Sequence, residues 1–427
     1  MGEKKTYLQR VADELLKLQL ESAGVILVEG AKWCGKTTTA LQQAQSVLFM
    51  DEPKRKTEYM RLAESDIEVL LAGKTPRLID EWQKAPQFWD ACRYLVDRRD
   101  EDGQFILTGS AEPADQSKLS HTGTGRVGWV KMRPMSLYES GESNGSVSLR
   151  SLFDGEFKPS EGMELNLQNL CYLICRGGWP KAIGKTERAA LRQAFNYVDA
   201  VAKREIVEVD AVHRSETNTR RLLRSYARHQ ATQASIGTIT ADLKTNEGNA
   251  LSDATIASYL NALRKIFVIE DMEAWNPNLR SKAAIRTTDT RYFVDPSIAT
   301  ASLGLGPDDL MKDLSTLGLL FETMAVRDLR VYAEAIDGNV FHYRDNNGLE
   351  CDSVVHLRNG HYGFVEIKLG GETLINEGAA NLLSLSKKID TNKMFAPSFM
   401  MVLVGTGHYS YQRDDGVLVV PIGCLKQ

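Results

Sequence analysis

Gly30-x-x-x-x-Gly35-Lys36-Thr37, followed by a second hydroxyl at Thr38, is a complete phosphate-loop pattern. Glycines at this spacing let backbone N–H groups turn inward around a β-phosphate, and a helix start adds partial positive charge. Lys36 is expected to reach the β- and γ-phosphate oxygens, and the Thr37 hydroxyl to ligate Mg²⁺. The ligand such a loop calls for is ATP with Mg²⁺. Forty-four residues after Lys36, the apolar run Arg77-Leu78-Ile79 delivers Asp80 and Glu81. Asp80 is expected to hold Mg²⁺ through water, and Glu81 to polarise the water that attacks the γ-phosphate. The run Phe105-Ile106-Leu107 ends at Thr108-Gly109-Ser110, where either hydroxyl could contact the water or the γ-phosphate. Arg126, in Gly123-Thr124-Gly125-Arg126, could serve a neighbouring subunit as an arginine finger, which would require a homo-oligomer.

These groups need strands to hold them. Val25-Ile26-Leu27-Val28 is a continuous apolar run of buried-strand length. The pattern predicts a helix over 38–47 and further strands at Val47-Leu48-Phe49-Met50, Arg77–Asp80 and Phe105-Ile106-Leu107-Thr108, alternating with helices as in a parallel α/β sheet. The Gly-, Ser-, Asn- and Glu-rich stretch 140–162 reads as a loop or boundary. Residues 165–265 read as mostly helical. The last third reads as a helix over 314–329, strands around Val340, Val354 and Val365, a helix over 377–388, and two further strands. Three domains follow: 1–160, 161–300 and 301–427.

The chain has 427 residues with 52 basic and 56 acidic side chains, a net charge of −4, and 43% hydrophobic residues. Those values exclude a disordered or collagenous chain, and the balance argues against an overall nucleic-acid coat. No apolar run approaches the ~20 residues of a membrane-spanning helix. Six irregularly spaced cysteines make no disulfide framework, and no histidine pairs with them at zinc spacing. The expectation is a soluble cytoplasmic protein.

Gly30 to Thr39, Leu78-Ile79-Asp80-Glu81, Leu107-Thr108-Gly109-Ser110, Arg176-Gly177-Gly178-Trp179-Pro180, Tyr292-Phe293-Val294-Asp295 and Glu366-Ile367-Lys368 occur in that order. Together they resemble the bacterial and archaeal predicted AAA+ ATPases that carry a carboxy-terminal domain of unknown function. The resemblance implies an AAA+ amino-terminal part, a winged-helix-like middle and an end similar to a PD-(D/E)xK nuclease fold. That family often has Arg-Gln-Val inside its phosphate loop, where this chain has Lys32-Trp33-Cys34.

The candidate nuclease set is Glu322, Asp352, Glu366 and Lys368. Carboxylates sharing a second Mg²⁺ or Mn²⁺, with a lysine near the attacking water, suit phosphodiester hydrolysis. Glu-x-Lys occurs at Glu3, Glu52, Glu156 and Glu366, but only the last lies in an apolar strand. Charges on such a strand need partners if buried. A two-residue Asn359-Gly360 turn would pair Arg358 with His361 and point Asp352 away from Glu366. A three-residue loop, Arg358-Asn359-Gly360 with Gly360 left-handed, would bring the two acids to one face, and it is the loop this chemistry requires. Arg214, Arg220, Arg221, Arg224 and Arg228 could meet phosphates, so DNA or a protein is the expected partner.

Overall fold

The computed structural model describes residues 7–111, 125–210, 212, 214–248, 251–277 and 285–427. Gly123 and Thr124, and the pair Glu3 and Lys5, lie outside the described residues. The chain divides into two compact units. The first comprises Met1–Arg133, Lys203–Ser215 and Tyr259–Val268, and the second Pro134–Ala202, Glu216–Ser258 and Ile269–Gln427. The first break between these units falls between Arg133 and Pro134.

The first unit runs α1 (Val11–Leu20), β1 (Val25–Gly30), α2 (Lys36–Ala40), β2 (Ser46–Phe49), α3 (Lys56–Ser65), α4 (Ile67–Leu71), β3 (Arg77–Asp80), α5 (Gln87–Arg99), β4 (Phe105–Gly109) and β5 (Val127–Met132). Its five strands are all parallel, in the order β2-β3-β4-β1-β5. Val25 to Val28 and all of β4 are buried, which is why the central strands read as unbroken apolar runs. α2 is only five residues long, shorter than the helix expected over 38–47. Three consecutive β-branched threonines weaken it, and the chain must already be extended at Ser46 to pair with Arg77.

The chain continues with α6 (Leu137–Ser140), β6 (Val147–Ser148), α7 (Leu149–Phe153), β7 (Ser160–Leu165), α8 (Leu167–Arg176), α9 (Glu187–Ala200), a π-helical turn (Val201–Glu205), α10 (Ile206–Glu208), α11 (Glu216–Arg228), α12 (Ile236–Asn246) and α13 (Asp253–Lys265). Then come α14 (Pro296–Leu303), α15 (Pro307–Lys312), α16 (Leu314–Glu334), β8 (Gly338–Arg344), β9 (Glu350–Leu357), β10 (Tyr362–Lys368), α17 (Glu372–Lys388), β11 (Met400–Val404), β12 (Gly407–Gln412), β13 (Leu418–Pro421) and β14 (Leu425–Lys426). The stretch expected to be a loop over 140–162 thus carries short elements. Its end, β7, is the edge strand of a seven-stranded sheet ordered β7-β12-β13-β11-β10-β9-β8. Ser160 pairs with Ser410 across 250 residues of sequence. β10, β11 and β13 are parallel, and the outer strands are antiparallel.

Three of the four α11 arginines are paired with acids, and Arg214, which precedes α11, pairs with Asp210 at 2.6 Å. Arg220 meets Asp199 at 2.7 Å and Glu216 at 2.9 Å, while Arg224 meets Glu247 and Arg228 meets Asp242 at 2.6 Å. The acids come from other helices as well as α11, so most of the basic run in sequence is paired in space.

A buried network joins four distant segments of the second unit. Arg327 donates to Asp295 at 2.8 Å and to Asp328 at 2.7 Å. Asp295 also accepts the Gly178 N–H at 2.9 Å, and Asp328 accepts the Leu137 N–H at 2.9 Å. Gly178 must be glycine, since a Cβ there would stand 2.1 Å from the Met135 carbonyl oxygen. All three charged side chains are buried. Arg327→Ala would leave two buried carboxylates facing each other without a cation. Removing one partner of a buried pair costs about 3–5 kcal/mol. A lowered urea midpoint with the Arg327→Ala chain is the expected outcome, and a midpoint equal to the parent's would contradict it.

Candidate active site

The phosphate loop leaves β1 at Gly30, whose φ is +146°, and a Cβ there would lie 1.9 Å from the Met132 carbonyl oxygen on β5. Only glycine permits that approach. Gly35, at φ +109°, starts α2. Lys36 is buried, and its Nζ donates to the Gly30 and Ala31 carbonyls at 2.8 and 2.9 Å. Thr37 Oγ1 donates to Asp80 Oδ1 at 2.7 Å, and Thr108 Oγ1 donates to the same oxygen at 2.7 Å. Thr38 is exposed. Thr37 and Asp80 are therefore already side by side, one hydroxyl and one carboxylate, a donor set that fits Mg²⁺.

Glu81 follows Asp80 with φ +58°, unusual for a side chain of its size. Its Oε2 accepts from Gln83 Nε2 at 2.6 Å and from Ser110 Oγ at 3.3 Å. The two hydroxyls proposed for one role are thus divided: Thr108 serves Asp80 and Ser110 serves Glu81. Arg126 lies elsewhere. It precedes β5, whose first residue pairs with Val25 and whose last pairs with Gly30, so it sits at the amino edge of the sheet. Six strand residues, about 20 Å, separate that edge from the loop. There Arg126 Nε donates to Asp97 Oδ1 of α5 at 2.7 Å.

Two contacts to the loop escape the motif. Buried Arg10 donates to the Cys34 carbonyl at 2.7 Å and to the Arg133 carbonyl at 2.9 Å. Lys32 Nζ stands 2.7 Å from Glu205 Oε1. Neither has a local sequence signal, because both partners are set by tertiary folding.

The carboxy-terminal residues also converge. β9 and β10 pair Tyr362 with His356 and Val365 with Ser353, the register of a three-residue loop, and Gly360 has φ +89°. The ladder stops there. Asp352 turns its side chain in, and Oδ2 accepts the Ile367 N–H at 2.7 Å and Lys368 Nζ at 3.0 Å. Lys368 Nζ also lies 2.6 Å from Glu366 Oε2, but without hydrogen-bonding geometry, so neither oxygen of this 1%-exposed carboxylate has a hydrogen-bond partner. Glu322, on α16, accepts the Tyr292 hydroxyl at 2.6 Å. Burial, then the charge of Asp352, holds Glu322 well above the ordinary carboxylate range and pushes Glu366 up to about 8. Burial pulls Lys368 down, but Asp352 and Glu366 outweigh it and keep the ammonium charged. Among the described residues no group of three or more His, Cys, Asp or Glu side chains is arranged to hold a metal ion. The cluster is centred on a lysine where the sequence suggested a metal.

Comparison with known proteins adds the following. Residues 22–141 match the family model described as an AAA domain, which supports ATP binding with Mg²⁺ at the phosphate loop. Residues 167–309 and 317–425 match two domains of unknown function, DUF8612 and DUF4143. Uncharacterized proteins of Mycobacterium tuberculosis (Rv2008c) and Mycobacterium bovis (Mb2031c) are each 23% identical over 420 residues, covering 97% of this chain and 83% of theirs. A Walker-type ATPase of Pyrococcus abyssi aligns with 69% of this chain and 96% of its own at 14% identity and a TM-score of 0.43. The ORC2 protein of Aeropyrum pernix aligns with 63% and 90% at 14% identity and a TM-score of 0.30. No helix among the described residues is long and apolar enough to cross a membrane.

Glu366 gives a pH dependence. Its folded-state value, about 8, lies above the ordinary 4.5, so between those values the folded chain keeps a proton that the unfolded chain releases. Its contribution to stability is fully present below pH 4.5 and is lost as pH rises through 8. The urea midpoint of Glu366→Gln should therefore fall less between pH 5 and 8 than that of the parent chain. Parallel curves would show that Glu366 ionises freely.

Proposed function

We propose that this protein hydrolyses ATP at the phosphate loop. The observation that carries the proposal is the joining of Thr37, Asp80 and Thr108 through one carboxylate oxygen, with Glu81 and Ser110 in contact beside them. Gly30, Gly35, Lys36, Thr37 and Thr38 bind the phosphates, and Thr37 and Asp80 would hold Mg²⁺, which would supply positive charge to the phosphates. Glu81 takes the proton of the attacking water, and Ser110 holds the Glu81 carboxylate in place for it.

The proposal gives the second unit a binding role gated by nucleotide, for a DNA or protein partner, and no cutting activity. The ion pairs of Lys368 with Asp352 and Glu366 support this reading, since they occupy oxygens of both acids. α11 to α13 are followed by antiparallel bridges, Ile269 with Phe293 and Met272 with Thr290, an order compatible with a winged helix. The module is tested by ATP turnover with and without duplex DNA, with the DNA resolved by electrophoresis in Mg²⁺ and Mn²⁺. Intact DNA is expected. Cleavage that Asp352→Asn abolishes would replace the binding role with an ATP-regulated nuclease.

The ATPase assignment is tested by two substitutions. Lys36→Ala should abolish ATP binding and turnover, measured by calorimetry and phosphate release. Glu81→Gln should stall turnover by roughly 10²–10⁴-fold while sparing binding, because the lost group acts only on the water. Turnover close to the parent's in both variants would refute hydrolysis at this loop.

A further inference from the structure

Lys32 lies inside the phosphate loop, but none of the roles above uses it. Its side chain is 42% exposed, on a flexible stem, and its Nζ is 2.7 Å from Glu205 Oε1. Glu205 is the last residue of the π-helical turn Val201–Glu205. Such turns are rare and gather at functional positions. Beyond Glu205, the charges Lys32 senses are those of Glu81 and then Glu208. Lys32 is thus a cation within the phosphate loop, held at rest by a carboxylate from outside it. Phosphoryl transfer needs positive charge as the γ-phosphate oxygens become more negative.

Resting on the ATPase reading above, we infer that Lys32 is a cation the phosphate loop itself supplies to the γ-phosphate, and that Glu205 is the positioning residue it leaves to do so. Lys32 exchanges one anion for another, the Glu205 carboxylate for γ-phosphate oxygens. ADP has no γ-phosphate, so with ADP the lysine keeps its carboxylate. The loop can thereby distinguish the two nucleotides by a contact that involves neither Lys36 nor the metal ligands.

The test uses the full chain and the variants Lys32→Ala, Lys32→Arg and Glu205→Gln, with Mg²⁺-ATP and Mg²⁺-ADP as probes. Lys32→Ala should lower kcat about 10²-fold, as loss of one transition-state donor does. ADP affinity should stay within about twofold, because a contact to the γ-phosphate cannot affect it. Lys32→Arg should recover part of kcat. Glu205→Gln should tighten ATP several-fold and leave ADP unchanged, since the lysine no longer has to leave a carboxylate. A thermal melt of each variant reports folding. Equal weakening of ATP and ADP in Lys32→Ala would mean a structural role and overturn the inference. So would kcat within about twofold of a parent chain that does hydrolyse ATP. A parent chain that fails to hydrolyse ATP at all overturns the ATPase reading, and this inference with it.

Discussion

One oxygen atom organises the nucleotide end of the first unit. Asp80 Oδ1 accepts a hydroxyl from Thr37, past the carboxyl end of β1, and another from Thr108, on β4. For that to happen β1, β3 and β4 must run parallel and end level, which the pairings of Asp80 with Thr108 and Val28 with Thr108 ensure. Parallel strands buried on both faces have no polar face to fix their register. The hydroxyl–carboxylate junction adds a polar constraint at the edge where ligands of such sheets bind. It also explains why Glu81 tolerates a left-handed backbone. That conformation costs of the order of 1–3 kcal/mol and persists only where neighbours over-determine it, as Asp80, Gln83 and Ser110 do here.

The second unit deals with buried charge in two opposite ways. Around Arg327 every carboxylate has donors: Asp295 has an N–H and a guanidinium, and so does Asp328. Such a network fixes structure, because each member is satisfied only in one arrangement. Around Lys368 the acids outnumber the cation, and the Glu366 oxygens lack hydrogen bonds. Burial and the charge of Asp352 raise the pKa of this carboxylate against the pull of Lys368. The first network ties together segments that lie up to 191 residues apart, and the second gathers its charges near the end of one strand, β10.

The nucleotide end was legible in the sequence because its chemistry is local. Gly30, Gly35, Lys36 and Thr37 lie within eight residues, and Asp80 and Glu81 end one apolar strand. The register of β9 and β10 was legible for a related reason: the phase of a hairpin depends on its loop, and Gly360 could take the left-handed position. Arg126 precedes β5, and its place in the sheet follows from that position. A residue that precedes a parallel strand must lie at the amino edge, away from a loop that follows one. The extent of α2 was overestimated because apolar spacing does not register three β-branched residues in a row. The pairing of the α11 arginines, the hold of Arg10 on Cys34 and that of Tyr292 on Glu322 left no local trace. Each joins segments that only the folded chain brings together.

The edge strand β7 has a consequence for how the molecule is made. Ser160 leaves the ribosome long before Ser410, its partner in the sheet, and 250 residues must be synthesised between them. At 5–20 residues per second that interval is about 12–50 s. Throughout it β7 has nothing to pair with, while the parallel sheet of β1 to β5, complete at Met132, can already close. Birth order thus favours the nucleotide-facing sheet, and the seven-stranded sheet gains its last strand only when the chain is nearly finished.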